Sequence, residues 1–369
     1  MKEIQLAAIL AAKRREKSIT QDELAAYIGV SKASVSKWET GNSYPDITFL
    51  PQLAAYFNIS IDELMGYSPQ LPKEEIAKLY RQLAAKFASQ PFEEALAECQ
   101  ALIRKYYACF PLLLQMAGLL LNHHMLAPHP EQKSAILRQI SELCERTARE
   151  SEDVWVAKDA VFLQATCGLI LGEPQAALEL LGEDVRLELP ATDLIAQAYH
   201  QLGQADKAKE VLQAAAYQHV MSLLGAMPHA LLLHGDALDK AEEILRRAEA
   251  LAAIYRVEAL NPNLMIQLYL AGAQLYVQHE RHEKAFDLLG KYVEACGALR
   301  FPAVLRGDDF FDRINPWLAE TATAAPRDEQ VIKASMVQGL TANPAFASLT
   351  ELPAFHRLIE RLKSKLEVQ

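Results

Sequence analysis

Several things this sequence lacks narrow its reading. Beyond Tyr67 no stretch alternates apolar and polar residues at the period of two that a half-buried strand requires, so no sheet is expected. The 5 cysteines, Cys99, Cys109, Cys144, Cys167 and Cys296, are an odd number, widely scattered and without a CxxC pair, which excludes a disulfide framework and leaves them as reduced core residues. The longest apolar run, Pro111 to Leu121, is interrupted by Gln115 and followed by Asn122-His123-His124. It falls short of the roughly 20 residues that span a bilayer and reads as a buried helix. The chain opens on a charged amphipathic segment rather than a secretory signal, so a cytoplasmic protein with no membrane contact is expected. No glycine-rich phosphate loop, HExxH or nucleophile elbow is present, and an enzyme is therefore not expected. His123, His124 and His129, and His279 with His282, lack cysteine partners at finger spacing. They read as surface or turn histidines, with no metal and no cofactor expected.

The 369 residues are 51% hydrophobic and 23% charged, the composition of a folded protein too long for one ordinary core. A small head and a large body are expected. The net charge of −10 is unevenly spread: residues 1–66 hold seven Lys/Arg and eight Asp/Glu, net −1, which leaves −9 to the body. Within the head, Lys13, Arg14, Arg15, Lys17, Lys32 and Lys37 are read as a basic cluster around the elements described next.

Thr20 to Tyr44 reads as two short capped helices joined by a glycine turn. Thr20 and Glu23 form a capping box at a helix start near Gln21. Gly29, between Ile28 and Val30, takes the left-handed conformation that a reversal needs without a Cβ penalty, and Ser31 caps the second helix. Leu24, Ala25, Ile28, Val35 and Trp38 fall at the spacings that put apolar groups on one side. A first helix is expected over Lys2–Glu16 with Ile4, Leu6, Ile9 and Leu10 buried. A fourth begins after Pro45-Asp46 with Pro51 in its first turn, and a fifth starts at a second capping box, Ser60 with Glu63, and closes at Gly66. The head is thus five helices, residues 1–67.

Taken together, Thr20-Gln21, Leu24-Ala25, Ile28-Gly29-Val30-Ser31, the run from Ser31 to Glu39, Gly41-Asn42, Pro45, Leu50 with Leu53-Ala54, and Ile59-Ser60 with Asp62-Glu63-Leu64 resemble the lambda repressor-like DNA-binding domain of the XRE family. The resemblance implies a recognition helix in the major groove with Lys32, Ala33, Ser36 and Lys37 facing bases. There Lys37 suits guanine O6/N7, Ser36 several bases, and the Ala33 methyl a thymine methyl. It places Gln21 and Asn42 on phosphates, with Ser34, Ser43 and Tyr44 nearby, and it makes Arg14 and Glu39 a structural ion pair. One head covers only a half-site, so the resemblance implies a homodimer reading a double-stranded operator with half-sites about 34 Å apart.

Ser68 to Pro72, with two prolines, reads as a short semi-rigid linker, and residues 73–369 as an all-α body. Ala196-Gln197-Ala198-Tyr199, Leu202-Gly203, Ala208 and Leu212 are echoed 77 residues on by Ala273-Gln274-Leu275-Tyr276, Ala285 and Leu289, with His279-Glu280 in place of Leu-Gly. Leu171-Gly172, Ala177 and Leu181 supply a third copy, and Phe92 to Ala95 the start of a further second helix. These segments resemble tetratricopeptide repeats, in which Leu-Gly ends the first helix of a pair and a small residue six positions later lies where the helices touch. The resemblance implies a solenoid, with Asn343 to Leu366 as its capping segment.

An XRE head on such a body is similar in architecture to the RRNPP regulators, which sense short peptides in quorum sensing. That similarity implies a transcriptional regulator whose body dimerises and couples a peptide or other effector to operator affinity. Gln197, Tyr199, Asn263, Gln267, Tyr269 and Tyr276 either line an effector face or belong to the repeat core. The alternative is a body that acts only as an oligomerisation or protein-docking scaffold.

Overall fold

The structure, a computed structural model, describes residues 4–67, 70–185, 191–301, 304–321 and 327–368. Among them every regular element is a helix, in line with the all-α reading. The chain divides into two compact units, one of residues 1–86 and 90–183, the other of residues 87–89 and 184–369.

The first unit opens with the five head helices: α1 (Leu6–Glu16), α2 (Gln21–Ile28), α3 (Lys32–Glu39), α4 (Leu50–Phe57) after a 3₁₀ turn over Ile47–Phe49, and α5 (Ile61–Met65). They enclose a core of their own in which Leu6, Leu10, Leu24, Ala25, Ile28, Val35, Trp38, Leu53, Ala54 and Leu64 are buried. The capping box at Thr20 is complete, whereas only half of the one at Ser60 forms. The Ser60 hydroxyl accepts the Glu63 N–H, while the Glu63 carboxylate pairs instead with Lys13 at 3.4 Å. The first helix begins four residues later than the expected Lys2. Ile4 is exposed and Gln5 donates its N–H to the Met65 carbonyl at 3.0 Å, so the entering chain is held by α5 rather than wound into α1. Gly66 makes that approach possible, because a Cβ there would meet the Gln5 Cβ at 2.9 Å.

After the head come α6 (Lys73–Ser89), α7 (Phe92–Lys105), α8 (Phe110–His123), α9 (Pro130–Glu150), α10 (Val154–Leu171) and α11 (Pro174–Leu181). Of the expected linker, Ser68 and Pro69 lie outside the described residues; Leu71 donates its N–H to the Cys109 Sγ and Pro72 precedes α6. The apolar run becomes α8, with Leu112, Leu113, Met116, Ala117, Leu119 and Leu120 buried. His123 and His124, expected as surface or turn histidines, are buried where α8 ends and a 3₁₀ turn begins, and their Nδ1 atoms bond the Leu119 and Leu121 carbonyls. All five cysteines are free and buried. Burial pushes the thiols of Cys99, Cys144 and Cys296 up to about 12, which leaves them inert. Among the described residues one helix, α10, is long and apolar enough to cross a membrane by length and composition alone. It contains Lys158 and Asp159 and packs against α8, α9 and α11.

The second unit holds α12 (Ala191–Gln201), α13 (Ala205–Leu233), α14 (Leu238–Ile254), α15 (Val257–Leu260), α16 (Pro262–Gln278), α17 (His282–Ala298), α18 (Asn315–Thr321), α19 (Glu329–Thr341) and α20 (Pro353–Leu366). Its largest core lies among α13, α14, α16, α17, α19 and α20. At its end α20 packs on α17 and α19 and buries Phe355, Leu362 and Leu366.

The three repeat copies share one turn. After α10, α12 and α16 a single residue adopts a left-handed conformation, Gly172 at φ 79°, Gly203 at 73° and Glu280 at 56°. In each case the next N–H reaches back five residues: Glu173 to Gly168, Gln204 to Tyr199 and Arg281 to Tyr276, all within 2.8–2.9 Å. The alanines six residues beyond the Leu position, Ala177, Ala208 and Ala285, are all buried. Hence His279-Glu280 is a geometric equivalent of Leu-Gly, at the strain a Cβ brings in that region. Glu280→Gly should stabilise the chain by about 0.5–1 kcal/mol, read as a rise of about 1–3 °C in the melting temperature; a lower melting temperature would contradict this account of the turn.

Candidate nucleic-acid interface

The orientation of α3 follows from its two ends and its buried side. Gly29, at φ 80°, ends α2, and the Val30 N–H bonds the Ala25 carbonyl at 3.0 Å. Ser31 then caps α3 by accepting the Ser34 N–H at 3.1 Å. Val35 and Trp38 are buried, with the indole 5.9 Å from the Phe49 ring centroid, so Trp38 is core and not a base platform. At the far end Gly41, at φ 74°, lets the Asn42 N–H return to the Lys37 carbonyl at 2.9 Å and its own N–H to the Trp38 carbonyl. With that side held, Lys32, Ala33 and Lys37 are exposed and Ser36 is half-buried, so the four residues read as base-facing share the open side. Asn42 and Tyr44 are exposed beyond the helix, and the Asn42 amide donates to the Thr40 hydroxyl at 2.8 Å. Ser43 is half-buried, its N–H on the Lys37 carbonyl, and the Ser34 hydroxyl lies 2.9 Å from that of Ser31.

A single carboxylate ties three of these helices together. Glu39, with only 5% of its side chain exposed, receives the Arg14 Nε at 2.6 Å and the Arg14 Nη2 at 3.0 Å. Gln21 Nε2 donates to the same group at 2.8 Å, and Arg14 Nη1 reaches the Ile19 carbonyl at 2.7 Å. Burial opposes the Glu39 charge, and the hydrogen bonds from Arg14 and Gln21 outweigh it, so the carboxyl titrates below its ordinary value. Gln21, read as a phosphate ligand, thus has its amide nitrogen on Glu39 at the start of α2. The Arg14–Glu39 pairing is where the sequence reading placed it.

The cations are less gathered than the sequence suggests. Lys13 lies between Glu16 and Glu63, and Lys17 reaches the Tyr56 carbonyl with its ammonium 4.1 Å from the Tyr56 ring centroid. Arg14 is spent on Glu39. Only Arg15, Lys32 and Lys37 among the six remain exposed and outside these local attachments to α1, α4 and α5, and Lys32 meets Asp22 at 2.7 Å. The Asp22 contact was not anticipated; ten residues separate the pair, and only the reversal at Gly29 brings them together.

In the body the six residues considered for an effector do not form one face. Gln197 is exposed on α12 and Tyr199 half-buried there, with the Lys207 ammonium 5.4 Å from its ring centroid. Asn263 and Gln267 are exposed one turn apart on α16. Tyr269 and Tyr276, on the same helix, are buried. The Tyr269 hydroxyl donates to Glu258 at 2.6 Å, while burial and the neighbouring Glu242 push the Tyr276 phenol up to about 12. Their rings lie under Lys291 and Lys284, which bond Glu249 and Glu242 of α14 at 2.6 and 2.5 Å. These two tyrosines are repeat core, because the seam between α14 and α17 closes over them.

Residues 10–64 match the family model described as helix-turn-helix, so the head is a helix-turn-helix domain. The curated HTH-type transcriptional activator BcrR of Enterococcus faecalis is 40% identical over 53 residues, 14% of this chain and 26% of BcrR. The chain therefore spans about a quarter of that relative's length. Among solved structures, that of Bacillus thuringiensis PlcR in complex with the peptide PapR7 and DNA is similar at 15% identity over 79% of this chain and 94% of that one, with a TM-score of 0.20.

The Glu39 cluster sets the behaviour of the head in acid. Because its folded-state pKa lies below the ordinary one, its contribution to stability is complete above about pH 4.3 and is lost as the pH falls through the lowered value. Arg14→Ala, which strands the carboxylate, should destabilise the head by about 3 kcal/mol, measured as an early melting transition by circular dichroism at pH 7. In Glu39→Gln the acid-dependent part of that loss should disappear; an unchanged acid midpoint would contradict the assignment.

Proposed function

We propose that the protein is a sequence-specific DNA-binding transcriptional regulator. The head, residues 1–67, sets α3 in the major groove, Ser68 to Pro72 link it on, and residues 73–369 dimerise and bind a peptide effector that alters operator affinity. The observation that carries this reading is the clamped α3, whose Val35 and Trp38 are locked in the core while Lys32, Ala33, Ser36 and Lys37 share its open side. An α-helix fits the major groove, and an ammonium there reads guanine while short side chains meet thymine methyls. Asn42, Ser43 and Tyr44, following the glycine turn, with Gln21 and Ser34 at the two helix starts, are suited to phosphates and fix register. Such chemistry needs no catalytic group or cofactor, and it belongs in the cytoplasm.

Effector control requires that the ligand favour one dimer arrangement over another. Asn263 and Gln267, exposed on α16, are suited to a peptide backbone, as are Gln197 and Tyr199 on α12. The second reading, a body that is a docking scaffold only, is favoured by the burial of Tyr269 and Tyr276, which takes both rings away from any ligand.

A duplex selected by the protein from a random pool serves as operator for the test. Lys37→Ala should lose about 1–3 kcal/mol at one base step and relax preference there, while Gln21→Ala should weaken all sequences alike. Gel shifts in which both variants bind as the parent does would overturn the placement of α3.

A further inference from the structure

Two of the four residues on the open side of α3 carry charge, and they stand toward its opposite ends. Lys37, in the last turn, complements the negative end of the helix dipole. Lys32 is the first residue of α3, where a cation opposes the dipole, and the first turn holds no acidic residue to offset it. Local helix electrostatics therefore give no reason for a lysine at this position. Its partner comes from the other helix of the motif: the Lys32 ammonium lies 2.7 Å from the Asp22 carboxylate, in the first turn of α2. The neighbouring Glu23 accepts the N–H and the hydroxyl of Thr20 at 2.7 and 2.9 Å in the capping box, so Asp22 is the carboxylate of that turn that reaches α3. Both side chains of the pair are open to water, at 60% and 62% exposure. An ion pair so open adds little to stability, and its consequence lies instead in what approaches it.

DNA offers the Lys32 ammonium two kinds of acceptor. Base edges such as guanine O6 and N7 are neutral, whereas phosphates carry a full charge and recur at every step whatever the sequence. A free lysine takes either, and the phosphate contact carries no sequence information. Paired with Asp22, the ammonium keeps donors to spare, since it has three. A phosphate brought to those donors comes within a Debye length, about 8–10 Å, of the Asp22 carboxylate and is repelled, while a neutral base edge is not. We propose that Asp22 is a specificity-determining residue, which holds Lys32 for base edges by keeping phosphate from it. On a sequence without the matching base the lysine then has no charged acceptor to fall back on. Discrimination arises from weakening the wrong complex as well as from strengthening the right one. This role rests on the reading of the head as a DNA-binding domain with α3 in the major groove, and it assigns to that reading a residue of α2 that meets neither base nor phosphate.

Fluorescence anisotropy of the full chain with the selected duplex and with a scrambled one, over a series of salt concentrations, tests it. Asp22→Asn, at an exposed position, should bind the scrambled duplex about fivefold more tightly, the size of one like-charge repulsion lifted in water. It should tighten on the selected duplex by less, so that the ratio of the two affinities falls. The slope of log affinity against log salt on the scrambled duplex should steepen by about 0.9, for one more phosphate neutralised. Lys32→Met added to Asp22→Asn should return that slope to the parent's value, and Asp22→Glu, which keeps the charge, should discriminate as the parent does. Equal tightening on both duplexes would mark a general charge effect and overturn the proposal, as would affinities that Asp22→Asn leaves unchanged or a slope that Lys32→Met leaves steep. A parent that binds both duplexes alike would overturn the reading of the head and this role with it. Discrimination in the parent with an unchanged ratio in Asp22→Asn would overturn the role of Asp22 alone.

Discussion

The head depends on one buried carboxylate. Glu39 sits at the end of α3, and the bonds it accepts come from Arg14 on α1 and Gln21 at the start of α2, so three helices meet on two oxygens. A buried charge without partners is among the costliest things a small domain can contain, and the geometry that satisfies this one leaves little freedom in how the three helices cross. The same crossing decides which side of α3 is open. The open side of α3 and the folding of the head are therefore linked through one residue.

The body meets a different constraint. Its helix pairs reverse through one left-handed residue and a backbone bond spanning five positions, and the alanine that follows lets the paired helices approach. Glu280 shows that the backbone geometry, rather than glycine itself, is what the turn requires. Across α14, α16 and α17 two carboxylate–ammonium pairs, spaced seven residues apart on each helix, lie over Tyr276 and Tyr269. They bridge the seam above the buried tyrosines, while Asn263 and Gln267 of α16 stay exposed.

Much of the head was legible because its signals are local: Thr20 with Glu23, Gly29, Ser31 and Gly66 each act within a few residues, and each sits where the sequence puts it. The contacts that surprised are those between elements. Glu63 left its cap for Lys13, Ile4 and Gln5 stayed outside α1, and Lys13 and Lys17 turned toward α4 and α5, all determined by how helices pack. In the body, the spacing of apolar residues along α16 could not tell which tyrosines the neighbouring helices would cover. Nor did composition disclose that α10 carries an exposed face, with Trp155 at 73% and Phe162 at 63% exposure, because an apolar helix reads alike whether or not its neighbours reach around it.

The central claim, that α3 enters DNA with its Lys32 and Lys37 side, is met most directly by photo-cross-linking. A photoreactive amino acid is placed at Ala33, on that side, or at Asn58, beyond α4, in the full chain bound to the selected duplex. The account predicts cross-linked DNA from position 33 and none from position 58. Cross-links from position 58 with none from position 33 would contradict it.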